Sequence, residues 1–407
     1  MFRSVKNFVM PFSTNTPSIS LGETMVYLIV VLLSMAGNSS MAAKPIIIGS
    51  YVEYFGFSSQ QAGYILTCEM TAAALGAIIS TLRVHCWNRR MMALMAIAAI
   101  LCGNILSIQT DELIKLSLAR SLTGAGHGVI LAVMSATIAA VSAPDRAAGV
   151  STIFASLLGA AMMLGIPVLQ HSLGVSPLFW VMAIIALSPL LFLKWLPSFH
   201  LQGTAASINK SQKQDASPIS FVAIISIFSA TFYYIGIGGF WPFAEQIGRS
   251  VGLDYVSASR IVGYATLISI FGGATVVVLG NRFGRKIPIA LCLIVQTIGL
   301  VLLITAPSVD VFKVVLITYV YSWAVFFPYL MGFIAEIDPS GRSNGLVYTS
   351  ALIGFAIGPA LASYLVSFGA LDSEVALDNV LIMNIACFSP VLLLLYVIRK
   401  RELRQGL

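Results

Sequence analysis

Long apolar runs broken by short basic knots recur in this chain at a fixed separation. The first knot reads Trp87-Asn88-Arg89-Arg90 and the second Phe283-Gly284-Arg285-Lys286, each position shifted by 196 residues. A second pair keeps the register: Arg146 and Gly149, behind Pro144, answer to Arg342 and Gly345, behind Pro339. A repeat spanning nearly half of 407 residues predicts two similar halves before any single residue is interpreted.

Composition says where those halves lie. The chain is 58% hydrophobic and only 10% charged, against roughly 25% charged in soluble domains. A water-exposed surface cannot be built from so few charges. Apolar runs long enough to cross about 30 Å of hydrocarbon as helix recur throughout. They fall near 24–50, 60–82, 91–109, 113–140, 147–170, 177–196, 219–243, 256–280, 287–306, 313–336, 344–368 and 378–398. Their length, and the lack of ten-residue alternation, predicts helices rather than a barrel. The expectation is an all-α integral membrane protein of twelve transmembrane helices in two pseudo-symmetric six-helix bundles. The bundles would span 1–196 and 218–407, joined by a polar cytoplasmic linker at 197–217 that carries Lys210 and Lys213.

The basic residues orient the chain. With the N-terminus inside, cytoplasmic segments hold seventeen of the 23 Lys and Arg, and outer segments four: Lys115, Arg249, Arg260 and Lys313. Lys44 and Arg120 lie within spans. By the positive-inside rule both termini are cytoplasmic. Short outer loops fit a bacterial inner membrane. Basic residues scattered over many loops argue against nucleic acid as a partner. The five cysteines show no CxxC and no paired spacing, and read as buried free thiols. No G-x-x-x-x-G-K-[ST] loop is present, so ATP is not the expected energy source. Neither a metal-ligating cluster nor a nucleophile–base pair is visible, so no enzyme, cofactor or metal is expected. A monomer in the bilayer is the expected form.

The second knot, Gly280-Asn281-Arg282-Phe283-Gly284-Arg285-Lys286, resembles the G-x-x-x-D-R-x-G-R-R loop of the major facilitator superfamily, with Asn281 where aspartate is common. The first copy keeps Arg89 and Arg90 but has His85, Cys86 and Asn88 at the aspartate, arginine and glycine positions. Arg120-Ser-Leu-Thr-Gly124-Ala-Gly126 resembles the family's intramembrane arginine followed by glycines in span 4. The resemblance runs over nearly the whole chain. It implies two six-helix bundles around a central cavity, rocking between inward- and outward-open states. In the family the loop aspartate is thought to latch the cytoplasmic side; that role does not transfer to His85. Arg89, Arg90, Gly284, Arg285 and Lys286 are the expected conformational loop residues.

Charge within a bilayer costs about 2.5–3.5 kcal/mol per residue at mid-span, so intramembrane charges suggest function. Glu69 is expected to be the only carboxylate deep inside a span. Burial favours its protonated form and a nearby cation its ionised form. It could therefore load a proton on one side of the membrane and release it on the other, or form a static pair with Arg120 or Lys44. Arg120 matches the arginine that the family associates with proton coupling. Lys44 reads as a static partner or an anion-binding group, and His127 as a hydrogen-bonded helix residue or a relay. The second half has no mid-membrane charge; Glu245 and Glu336 are expected at the interfaces. It offers aromatics instead. Tyr233, Tyr234, Trp241, Trp323 and Phe327, together with Asn38 in span 1, are the expected substrate contacts. Small residues at Gly124, Gly126, Gly128, Gly159, Gly165, Gly354 and Gly358 mark tight helix contacts. The expected function is proton-coupled efflux of small, partly apolar organic compounds. Alternatives are proton-coupled uptake of a sugar or organic anion, and a non-transporting membrane sensor.

Overall fold

A computed structural model describes residues 21–83, 87–138, 141, 144–197, 221–280, 282–337, 342–368 and 373–396. His85, Cys86, Asn281 and the lysines Lys210 and Lys213 lie outside these residues, as do the side chains of Arg146, Glu336 and Arg342. The first half comprises α1 (Leu21–Ala42), α2 (Lys44–Phe55), α3 (Ser59–Arg83), α4 (Arg89–Ile108), α5 (Leu113–Ile138), α6 (Pro144–Leu173) and α7 (Ser176–Leu187), the last extended by a 3-10 segment, Ser188–Trp195. The second comprises α8 (Phe221–Ser250), α9 (Tyr255–Leu279), α10 (Lys286–Thr305), α11 (Val309–Ile337), α12 (Arg342–Phe368) and α13 (Ser373–Cys387). Among the described residues, eleven helical stretches are long and apolar enough to cross a membrane. Helix α12 contributes a shorter apolar stretch, Ile353–Val366, at the remaining position.

The side-chain distribution is inside out relative to a water-soluble protein. Leu75, Ile79, Ile114, Leu118, Leu191, Phe271 and Val278 stand exposed on the outside. Ser40, Lys44, Glu69, Asn104, Arg120, Gln296 and Asn384 are fully buried. Hydrocarbon tolerates the first set, and only internal partners make the second tolerable. Of the described cysteines, Cys292 and Cys387 are buried as expected, but Cys68 and Cys102 are exposed.

Backbones meet where side chains are absent. A Cβ on Gly124 or Gly128 of α5 would collide with the carbonyl oxygens of Glu69 or Ala73 on α3. In the second half, Gly354 and Gly358 of α12 lie equally close against the backbone of α8. The i, i+4 spacing puts each pair on one face of its helix, so two helices approach at backbone distance. Gly165 has open space around it and makes no such contact.

The repeat survives at the level of single hydrogen bonds. Arg89 Nη1 donates to the Ala136 carbonyl at 3.3 Å, and Arg285 Nη1 donates to the Gly332 carbonyl. Both partners keep the 196-residue offset. Each arginine ties the start of one helix to the end of the next. The knots differ at the residue before the arginine. Gly284 adopts φ +66°, a left-handed turn that suits glycine. Asn88 is extended and caps α4, accepting from the Arg90 and Met91 amides at 2.9 and 3.4 Å.

Among the described residues the halves meet through α2 with α8 and α9, α3 with α12, and α6 with α9. Their polar contacts cluster at the face opposite the basic knots. Tyr255 on α9 donates to Gln170 on α6 at 2.7 Å and pairs with Ser50 on α2 at 3.1 Å. Arg249 on α8 bridges to Glu53 on α2 at 2.8 Å. Gly63 on α3 sits directly against Ser363 on α12. The seam is closed at this face.

Candidate functional site

The first apolar run kinks at Ala43, with the helical hydrogen bonds from Ala43 to Ser39 and from Ile47 to Ala43 kept. Ala43 (φ −90°, ψ 5°) separates α1 from α2, and Pro45 follows at the second residue of α2. Proline has no N–H for the carbonyl four residues earlier and crowds it, which favours a kink there. Ser39, Ser40 and Lys44 flank this point and are fully buried.

Glu69 on α3 and Arg120 on α5 meet beside it. Arg120 Nε donates to Glu69 Oε2 at 3.0 Å, and Nη2 donates to Oε1 at 2.6 Å. This fork matches the carboxylate plane and gives strong, oriented bonds. Arg120 Nη1 donates to Asn104 Oδ1 on α4 at 2.9 Å, and the Asn104 amide donates to the Ile100 carbonyl. Ser40 Oγ donates to Glu69 Oε1 at 2.5 Å. His127 lies two turns along α5, with Nδ1 3.8 Å from the same Oε1 and Nε2 3.4 Å from Ser39 Oγ. Glu69 and Arg120 are fully buried. Phe179 on α7 covers the guanidinium, 5.8 Å from its ring centre.

Lys44 faces the other half. Its fully buried Nζ lies 3.9 Å from the centre of the Phe355 ring on α12 and has no hydrogen-bond partner. Phe355 belongs to an aromatic wall. Tyr234 packs against Phe327 edge-on at 5.5 Å and against Phe355 at 6.0 Å. Trp323 lies 6.0 Å from both Trp241 and Phe355, and its Nε1 donates to Tyr234 Oη at 3.4 Å. Trp323 and Phe327 keep partial exposure. A cation over an aromatic face is attracted by the ring quadrupole. The wall thus carries one ammonium at its edge.

The structure thus brings Glu69, Arg120 and His127 into one cluster, and Tyr234, Trp241, Trp323 and Phe327 into one wall. Lys44 stands between the halves. Tyr233 departs from expectation: it is fully buried, stacked on Phe326 at 3.8 Å, and bonded through its hydroxyl to Gln296. It belongs to the core of the second half, where Gln296 also donates to the Tyr319 carbonyl and Asn384 to the Tyr319 hydroxyl. Neighbouring residues on a helix point about 100° apart, so Tyr233 and Tyr234 serve different surfaces. Asn38 is partly exposed on α1 and turns its amide back to the Ser34 carbonyl at 2.9 Å. Glu69 is not the only deeply buried carboxylate. Glu245 is fully buried too, because α2 packs over it. Ser40, Asn104 and Phe355 were not anticipated. Asn104 carried a signal, as the one carboxamide in the apolar helix α4.

The sequence profile of the Major Facilitator Superfamily matches residues 26–226. Solved structures extend the likeness over nearly the whole chain. The nucleoside transporter NupG superimposes with a TM-score of 0.69 at 13% identity, covering 92% of this chain and 98% of its own. A D-xylose–proton symporter gives a TM-score of 0.69 at 16% identity, covering 90% and 97%. The human organic anion transporter MFSD10 (TETRAN) gives 0.61 at 16% identity, covering 92% and 98%. At such identities the structures establish the fold alone. The profile match on residues 26–226 is thus to the Major Facilitator Superfamily, and solved transporter structures share the two-bundle fold over both halves.

Proposed function

We propose that this chain is a secondary active transporter that exports small, partly apolar organic compounds in exchange for protons, by alternating access. The observation that carries this reading is the division of labour between the halves. One half buries an ionisable cluster, Glu69–Arg120–His127, and the other presents an aromatic wall, with Lys44 spanning from the first to the second. In this reading Glu69 leaves the Arg120 fork when it takes a proton, and the substrate occupies the wall of Tyr234, Trp241, Trp323, Phe327 and Phe355. The basic knots face the cytoplasm of a cell with the chain in its inner membrane, and both termini lie on that side. The closed seam then makes the present conformation inward-facing.

The test is transport in reconstituted vesicles under an imposed pH gradient. Glu69→Gln should abolish gradient-driven movement of a lipophilic test compound while leaving folded, membrane-inserted protein. Undiminished gradient-driven transport in that variant would sink the assignment. A second reading, uptake of an organic anion with protons, is favoured by the buried ammonium of Lys44, which has no hydrogen-bond partner. The sign of proton movement separates the two: exchange moves protons against the substrate, and symport moves them with it.

A further inference from the structure

Glu245 stands on α8 one turn before Arg249 and has neither carboxylate oxygen hydrogen-bonded. One oxygen lies over Gly49 of α2, so close that a Cβ at that position would collide with it, and the Tyr255 ring of α9 closes the same space. The charged and titratable groups around it are few. Arg249, on the same helix, has Nε 3.9 Å from Oε1. Glu53 on α2 holds that guanidinium through Nη2 at 2.8 Å. Tyr255 commits its hydroxyl to Gln170 and Ser50. Tyr54 on α2 stacks edge-on against Tyr255 at 6.2 Å. Arg249 therefore neutralises Glu53, and Glu245 is left without a hydrogen-bonded counter-ion. A carboxyl that keeps its proton fits this buried place; an ionised one, with no hydrogen-bond donor on either oxygen, does not.

We propose that Glu245 is a second proton-binding site of the transport cycle, located in the seam rather than in the Glu69 cluster. Glu245 holds its proton while α2 lies against α8. When the halves part at this face, water enters, the proton passes to it, and the carboxylate gains hydration and the Arg249 guanidinium. Closing the face again requires a proton from that side of the membrane. The inference rests on the halves separating here and is independent of the role assigned to Glu69.

The test is the pH dependence of seam opening in the full chain. Spin labels at Ser58 and Arg260, in a background with all five cysteines replaced by serine, report the distance between the halves by double electron–electron resonance in nanodiscs. Between about pH 5 and about pH 9, where a buried carboxyl releases its proton, the parent should shift from short to long distances. Glu245→Gln should stay short throughout, and Glu69→Gln should shift as the parent does. Gly49→Ala, which pushes the carboxyl off α2, should open at lower pH than the parent. Infrared difference spectra of the protein with its native cysteines should show a carboxylic-acid C=O band that disappears on alkalinisation and is missing from Glu245→Gln. The proposal is overturned if the parent distance ignores pH, if Glu245→Gln opens as the parent does, or if the infrared band survives the substitution.

Discussion

Arg120 commits Nε, Nη1 and Nη2 to Glu69 and Asn104, so it cannot turn to a ligand without uncovering the carboxylate. Removing one partner of a buried ion pair leaves the other charge stranded, at about 3–5 kcal/mol. Arg120→Ala should lower stability by about that amount, measured by tryptophan fluorescence during unfolding in detergent. The double variant Glu69→Gln/Arg120→Gln should recover most of the loss, since neither neutral side chain strands a charge. A double variant no more stable than Arg120→Ala would place the loss in packing instead. These two residues were legible in the sequence because charge in a span is costly and rare. Their neutral partners were not. Ser40 and Asn104 acquire meaning only when α1, α3, α4 and α5 are brought together. Phe355 is one aromatic residue among many in the spans, and only the fold sets Lys44 over its ring. The burial of Glu245 is hidden from the sequence for a related reason. Its place near the end of α8 is interfacial in an isolated helix, and becomes buried only when α2 covers it.

At the scale of elements, ends carry as much information as spans. Asp254 caps α9, accepting from the Val256 and Ser257 amides at 3.0 Å each. Hydrogen bonds from the Ser257 hydroxyl and from the Ser257 and Val256 amides hold its carboxyl below the usual carboxylate range. A lowered folded-state value means the cap stabilises fully at neutral pH and gives up that contribution as pH falls below about 4. Asp254→Ala should cost about 0.5–2 kcal/mol of stability at neutral pH, with the difference from the parent shrinking in acid. An undiminished difference at low pH would rule out the charged cap. The knots show the same principle in reverse. In sequence the first knot departs from the family pattern at His85, Cys86 and Asn88, the last standing where the second knot has Gly284. In the structure Asn88 is a helix cap and Gly284 a left-handed turn, so two different chemistries deliver Arg89 and Arg285 to equivalent carbonyls.

The whole molecule was legible as a duplication: helix positions, the 196-residue register and the inside-out polarity all follow from the chain. Which face is shut was not, because the register of one half on the other depends on packing between residues far apart in sequence. Gly63 against Ser363 and Gly49 against Glu245 are examples. One structural feature separates the genetic unit from the mechanical one. Helix α1 packs on α5, α6 and α7 of its own half, whereas α2, beyond the kink at Ala43, packs chiefly on α8 of the other. The first half is therefore incomplete as a folding unit, since α2 finds most of its neighbours on the second. Expressed alone, residues 1–196 should be more readily cleaved by protease within α2 than the same residues co-expressed with 218–407, and equal cleavage would refute this. Parting the halves would therefore strip α2 of most of its cover, so the end of the first span belongs mechanically to the second half as much as to the first.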